Sequence, residues 1–216
     1  MNNFIAPTST WSPLELELMT ALACQVRVLS ELQIQQGWKS QCSINELRAS
    51  VSKLVEAKLV EQHTWTVAPP QIGNAPLHTW KPGHVKPDTW RLSQTCRSRW
   101  NRLPEKMTVY QATELAGRLF GSRAGHATRI IEQRHDLLLA EVFILYRTRL
   151  PELAKRWLGE DAVLMAEHGV KNPDAFLMDD ECVPRRVIES AGSYSQTQVE
   201  TFHEYCRVSR IPYELW

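Results

Sequence analysis

No stretch of this chain strings together the roughly 18 apolar residues that a membrane-spanning helix needs, so an integral membrane protein is not expected. Residues 1–11 lack the basic start and apolar segment of a secretory leader, and the expected setting is a reducing cytoplasm. Cysteine is sparse and badly spaced. Cys24, Cys42, Cys96, Cys182 and Cys206 are odd in number and form no CxxC pair, which argues against a disulfide framework or a zinc knuckle and for reduced thiols. A Gly-rich phosphate loop, a GxSxG elbow and an HExxH helix are all missing, so nothing points to nucleotide hydrolysis, serine hydrolysis or zinc proteolysis.

Nor is there an excess of charge: the 216 residues carry a net +1. Apolar residues at 43% and charged residues at 23% are ordinary for a folded protein and exclude a disordered chain or a fibrous repeat. The length suits one large domain or two small ones. The charge is unevenly placed. Residues 1–110 hold 12 lysines and arginines against 8 acids, a net of +4, and residues 111–216 hold 13 against 16, a net of −3. Lys81, Lys86, Arg91, Arg97, Arg99, Arg102 and Lys106 face only Asp88 and Glu105. A basic first half suggests a polyanionic partner; an acidic second half suits metal ions or a solvated acidic surface.

In the first half, Ser12-Pro13-Leu14-Glu15 and Ser43-Ile44-Asn45-Glu46 are both helix starts, a serine cap with glutamate three residues on. Apolar residues at helical spacing follow each, and a further helix is expected over 28–35, ending at Gly37. The helix from Ile44 to Lys58 carries Leu47, Val51, Leu54 and Val55 on one face, with Arg48, Ser52 and Lys53 on the other. Residues 59–67 then switch to the alternation of a strand. Prolines and glycines break up 68–87, with strand-like pieces at 77–81 and 89–93 that hold Trp80 and Trp90. An enlarged wing is expected there, its tryptophans packed on the helices rather than stacked on bases. The order, and the phrase Leu54-Val55-Glu56-Ala57-Lys58-Leu59-Val60, resembles the winged helix-turn-helix. That resemblance implies a third helix in the DNA major groove.

The second half reads as helix over 109–120, a long apolar helix over 127–149 and another turn or two over 152–158. Strands follow at 161–166, 174–178 and 185–190, then a helix over 195–208 and a last strand over 211–216. His135-Asp136 and Glu141 are expected to be exposed helix residues rather than parts of a cleft. Pro173-Asp174 opening a strand, with Glu189 inside the next, resembles the PD-(D/E)XK or restriction-endonuclease-like superfamily. The fold class expected is therefore mixed α/β: a winged helix over 12–103 with an enlarged wing, then an α-β-β-β-α-β core over 108–216.

More narrowly, the chain resembles replication-relaxation proteins of bacterial plasmids and mobile elements, on His135-Asp136-Leu137-Leu138-Leu139-Ala140-Glu141, Trp157-Leu158-Gly159-Glu160, Asn172-Pro173-Asp174-Ala175 and Val187-Ile188-Glu189. The resemblance implies a duplex-DNA-binding accessory or regulatory protein, its DNA contacts being Arg48, Ser52, Lys53, Lys81, Lys86, Arg91, Arg97, Arg99 and Arg102, with other mobile-element proteins as partners. It also implies an alternative, a Mg²⁺-dependent DNA endonuclease. There Asp174, Glu189 and the Ser190 carbonyl would hold the metal, with Glu160 assisting. The sequence departs from that alternative where a lysine belongs: two positions past Glu189 stands Ala191. Lysine there would stabilise developing negative charge, so the expectation is binding without cleavage, no cofactor, and a carboxylate pair either separated or answered by arginine, Arg185 and Arg186 being on the same strand as Glu189. A third reading is a protein-interaction scaffold.

Overall fold

The computed structural model describes residues 11–99, 102–163 and 172–216. The expected serine boxes form. Ser12 caps α1 (Pro13–Thr20) and Ser43 caps α3 (Ile44–Glu56), each exchanging bonds with the glutamate three residues on. Between them α1 runs into a single π-turn (Ala21–Gln25), and residues 28–35 prove not to be one helix. Leu29–Ser30 is a short strand, β1, and Ser30 caps α2 (Glu31–Trp38), which continues through Gly37. The box Ser30-Glu31-Leu32-Gln33 explains the later start.

Strand β2 (Val60–Val67) follows α3, as the alternation implied. The expected wing does not close as a local hairpin. The chain leaves the sheet, forming β3 (His78–Trp80) and α4 (Thr89–Ser98), and returns as β4 (Glu105–Ala112). β4 pairs antiparallel along all of β2, from Val60↔Ala112 to Val67↔Glu105, and with β1 on its other side, giving the sheet order β1-β4-β2. Residues 89–93, expected as a strand, are helical because Asp88 accepts the Arg91 N–H at 2.9 Å and Thr89, Ser93 and Cys96 fall on one buried face. Residues 109–120 divide for a similar reason. Val109 to Ala112 belong to β4, and Thr113 caps α5 (Glu114–Phe120), which Gly121 ends in the left-handed conformation at φ 71°.

Helix α6 (Ile130–Arg149) leads through α7 (Pro151–Ala154) to β5 (Trp157–Gly159). The strand expected at 161–166 is displaced: Glu160–Ala162 is a 3₁₀ turn, and residues 164–166 lie outside the described residues. β6 (Ala175–Met178) and β7 (Pro184–Glu189) form the expected hairpin, and α8 (Gln196–Val208) crosses to β8 (Tyr213–Leu215), parallel to β7. The second sheet has the order β3-β8-β7-β6-β5. The chain thus exchanges segments across the expected boundary at 103–108: β4 completes the first sheet, while β3 and α4 pack on β8 and α8 of the second.

The class is mixed α and β, and no helix among the described residues is long and apolar enough to cross a membrane. α6 is buried at Asp136 to Ala140, Val142 to Ile144 and Tyr146. Leu137 meets Val28, Trp65, Val67 and Val109 beneath the first sheet, and Phe143 and Tyr146 meet Trp157 of the second at ring distances of 5.6 and 5.3 Å. Gly159 lets β5 approach the π-turn: a Cβ there would stand 2.6 Å from the Gln25 carbonyl oxygen. Chain ends fray unless docked, and here Leu215 and Trp216 are buried, with the Trp216 N–H donating to the Glu189 carbonyl at 2.9 Å. Trp216→Ala is expected to cost about 3–5 kcal/mol, the range for removing a buried tryptophan side chain. Chemical denaturation measures this, and an unchanged midpoint would show the terminus to be loosely held.

Candidate functional site

The β6–β7 hairpin brings the two motif carboxylates together. With Ala175 paired to Ile188, Asp174 just before β6 falls opposite Glu189 at the end of β7. Both are buried, at 0% and 3% exposure. Two buried carboxylates repel unless answered, and the answer comes partly from backbone. The Asp174 N–H donates to Glu189 Oε2 at 3.1 Å, and the Ser190 N–H and Oγ–H donate to Asp174 Oδ2 at 2.8 and 2.9 Å.

Two side chains that the linear motif does not contain add to the answer. His135, on the first turns of α6, places Nε2 3.0 Å from Asp174 Oδ2 and 2.9 Å from Ser190 Oγ, and Nδ1 3.3 Å from Asp136 Oδ1. Burial alone would pull this imidazole down; Asp174 and Asp136 outweigh it and hold it well above its ordinary value. The Tyr194 hydroxyl, after β7, donates to Glu189 Oε1. Burial pushes that phenol up, and Glu189 and Asp174 push it further, so it stays protonated as a donor. His135 is therefore part of a buried polar cluster rather than an exposed helix residue. The expected arginines go elsewhere: Arg185 pairs with Asp179 at 2.6 Å and Arg186 with Glu214 at 2.6 Å.

Glu160 reaches the neighbourhood by its backbone, whose N–H donates to the Asp174 carbonyl at 3.0 Å. Its carboxylate pairs with Arg27 at 3.1 Å, and Arg27 also grips Asp161 with two bonds of 2.8 and 3.0 Å. Arg27 stands two residues past the π-turn that ends at Gln25. Glu141, also expected to be exposed, is half-buried and accepts from Gln33 Nε2 at 2.9 Å.

Among the described residues the cluster is well buried. Among the described residues, no group of three or more His, Cys, Asp and Glu side chains is disposed to hold a metal ion. The cavity that Asp174 lines with Glu160, Asp161 and Arg27 has about 10 Å³, about one water molecule. The Ser190–His135–Asp136 chain has the atoms of a nucleophilic triad, but Ser190 is fully buried and its hydroxyl proton is aimed at Asp174, so no substrate carbonyl reaches it.

The basic residues separate into groups. On α3, Arg48 is exposed and paired with Glu31 at 3.0 Å, and Ser52 is exposed. Lys53 instead bonds Glu15 at 2.9 Å, and Glu15 is only 5% exposed, so this lysine balances a buried charge. Around α4, Lys81, Arg91, Arg97 and Arg102 are exposed, and Lys86 stands 3.9 Å from Glu200. Arg99 is half-buried and donates to the carbonyl oxygens of Ala191 and Trp216, both at 3.0 Å, which fastens α4 to the chain end. Trp80 is buried, stacked on Tyr213 at 5.7 Å and edge-on to His203 at 5.1 Å, so it packs on α8 and β8 rather than on the first-half helices; Trp90 is 60% exposed.

Of the cluster, Asp174, Glu189 and Ser190 carried a sequence signal, and His135-Asp136 was visible as a polar break in an apolar helix. Tyr194 and Arg27 carried none. Compared with protein-family models, curated proteins and solved structures, the chain has no match.

The His135 contacts set a direction in pH. A histidine raised on folding contributes stability that is full below its unfolded value, about 6.5, and is lost as pH rises through the folded value. Wild type is expected to lose its stability advantage over His135→Asn as pH is raised from 6 to 9. Thermal melts of the two proteins across that range measure it, and a constant difference would place the imidazole's charge outside the folding balance.

Proposed function

We propose that this protein binds duplex DNA through the outer face of α3, as an accessory or regulatory factor, and that its second sheet is a nuclease-type core kept without cleavage. The observation that carries the reading is an order and a topology. Helix, short strand, two helices and β2, joined after the β3–α4 excursion by β4 in the sheet order β1-β4-β2, follow the order expected of a winged-helix frame, and this supports the reading. In that frame the third helix lies in the major groove. Here α3 turns Leu47, Val51 and Leu54 inward and leaves Asn45, Arg48, Ala49 and Ser52 exposed. The Arg48–Glu31 pair is a surface pair, worth about 0–1 kcal/mol, so a phosphate or guanine edge readily replaces Glu31. The mobile-element setting rests on the family resemblance alone.

A nuclease is the second reading, favoured by the order α6-β5-β6-β7-α8-β8 and by the adjacency of Asp174 and Glu189. Against it stand the burial of both carboxylates and the histidine and tyrosine that answer them. Ala191, at the place of the missing lysine, is itself buried in the apolar cluster of the second sheet.

Gel shifts with plasmid fragments and short duplexes at low salt test the binding. Arg48→Glu is expected to weaken binding at least about 10-fold and to lower the salt slope by about one unit, with thermal stability held within about 0.5 kcal/mol. Lys53 is unsuitable for this test, because Lys53→Glu would set a second carboxylate against buried Glu15. Unchanged binding by Arg48→Glu would remove α3 as the reader. Millimolar Mg²⁺ is expected to leave the plasmid intact and the melting temperature almost unmoved. Cleavage, or Mg²⁺ stabilisation, that disappears in Asp174→Asn would establish the nuclease instead.

A further inference from the structure

The outer face of α4 carries arginines outside any ion pair. Six exposed arginines elsewhere are tied to acids: Arg48 to Glu31, Arg118 to Glu114, Arg129 to Glu132, Arg156 to Asp180, Arg185 to Asp179 and Arg207 to Glu204. Those on α4 are not. Among the described residues no carboxylate forms an ion pair with Arg91 or Arg97, and Thr89–Ser98 contains no acid at all. The nearest acids are engaged elsewhere. Asp88 caps the helix through the Arg91 N–H, and Glu200 accepts from Thr89 and Gln196.

Beside these cations stands Trp90, 60% exposed, one turn of helix from Gln94 and two from Arg97. The inner face, Thr89, Ser93 and Cys96, is packed on α8, so the indole has no place in the core. The outer face is otherwise polar, with Gln94, Thr95 and Ser98 between the charged residues, which does not suit insertion into lipid. An exposed ring flanked by guanidinium groups that form no ion pair among the described residues matches a ligand that alternates flat apolar groups with anionic ones.

We propose that the outer face of α4, through Trp90, Arg91 and Arg97, binds single-stranded nucleic acid. An unpaired base stacks on the Trp90 indole, and the two arginines hold the flanking phosphates. Sequence preference is weak, because every base presents a stacking face. An acidic peptide would satisfy the arginines and leave the indole bare, and duplex DNA hides its base faces. The surface belongs to the second sheet and shares no residue with α3.

The test is fluorescence anisotropy with a labelled oligothymidylate, with a duplex of equal length and with heparin, a polyanion without bases. Wild type is expected to bind oligothymidylate, and Trp90→Ala to weaken that binding by about 5- to 150-fold, the effect of one lost base stack. Heparin binding should stay within about 2-fold in the same variant. Arg91→Ala with Arg97→Ala should lower the single-strand salt slope by about 0.7 for each phosphate released. Arg48→Glu, which tests α3, should leave oligothymidylate binding unchanged, so the two surfaces fail or succeed separately. All these side chains are exposed, and matching thermal melts confirm that the variants are folded. The proposal is overturned if wild type does not bind oligothymidylate, if Trp90→Ala binds it as well as wild type, or if heparin binding falls in parallel.

Discussion

The structure depends on covering α6. This helix is apolar nearly all round over its middle turns, and a helix of that kind is stable only when buried on every side. One sheet does not suffice. Leu137 seats under the first sheet, with Val28, Trp65 and Val109, while Phe143 and Tyr146 seat against Trp157 of the second. Gly37 of α2 completes the cover: a Cβ there would stand 2.7 Å from Ile144 Cδ1. One continuous core therefore runs from Leu18 in α1 to Trp216 at the chain end. The exchange of segments between the sheets adds to this, since β4 reaches back to β2 and β3 reaches forward to β8.

Polar groups drawn into such a core must be answered there, because a buried charge without a partner costs far more than a surface one. Glu214 on β8 shows how completely this is done. It accepts from the Tyr146 hydroxyl at 2.7 Å, the Trp216 indole N–H at 2.9 Å and Arg186 at 2.6 Å. Burial pushes the Tyr146 phenol up, Glu214 adds to that, and the donor stays protonated. The Asp174–Glu189 pair follows the same rule with His135, Ser190 and Tyr194. Acids that read as chemistry in sequence thus have a second role, as centres of buried hydrogen-bond networks.

Local signals were legible in the sequence and distant pairings were not. The serine boxes at Ser12 and Ser43 mark helix starts because the cap and its partner lie three residues apart. The same chemistry at Ser30, Asp88 and Thr113 was equally present and easier to pass over, since apolar residues on both sides extend the apparent helix or strand. The β6–β7 hairpin was legible because a short loop joins its strands. The partner of β2 was not, with residues 68–104 between them and nothing local to say that the wing closes after so long an excursion. The site divides likewise: Asp174 and Glu189 are brought together by a hairpin, whereas His135 reaches them only through the packing of α6.

That last dependence links core and site. His135 stands directly before the deeply buried stretch of α6, next to Asp136 and two residues before Leu137, whose side chain is locked beneath the first sheet. The imidazole is delivered to Asp174 because the apolar stripe behind it admits one placement of the helix. To open the carboxylates to a metal and a phosphate, His135 would have to withdraw. A rotamer change would strip Asp174 of the His135 imidazole, beside a cavity with room for about one water. A shift of α6 would uncover Leu137 and Phe143, each worth about 2–5 kcal/mol of burial. Either route sets the opening of the site against the packing that holds the two sheets together. The burial of the carboxylate pair is in this sense tied to how α6 is buried, whereas the exposed faces of α3 and α4 are left unconstrained by the core.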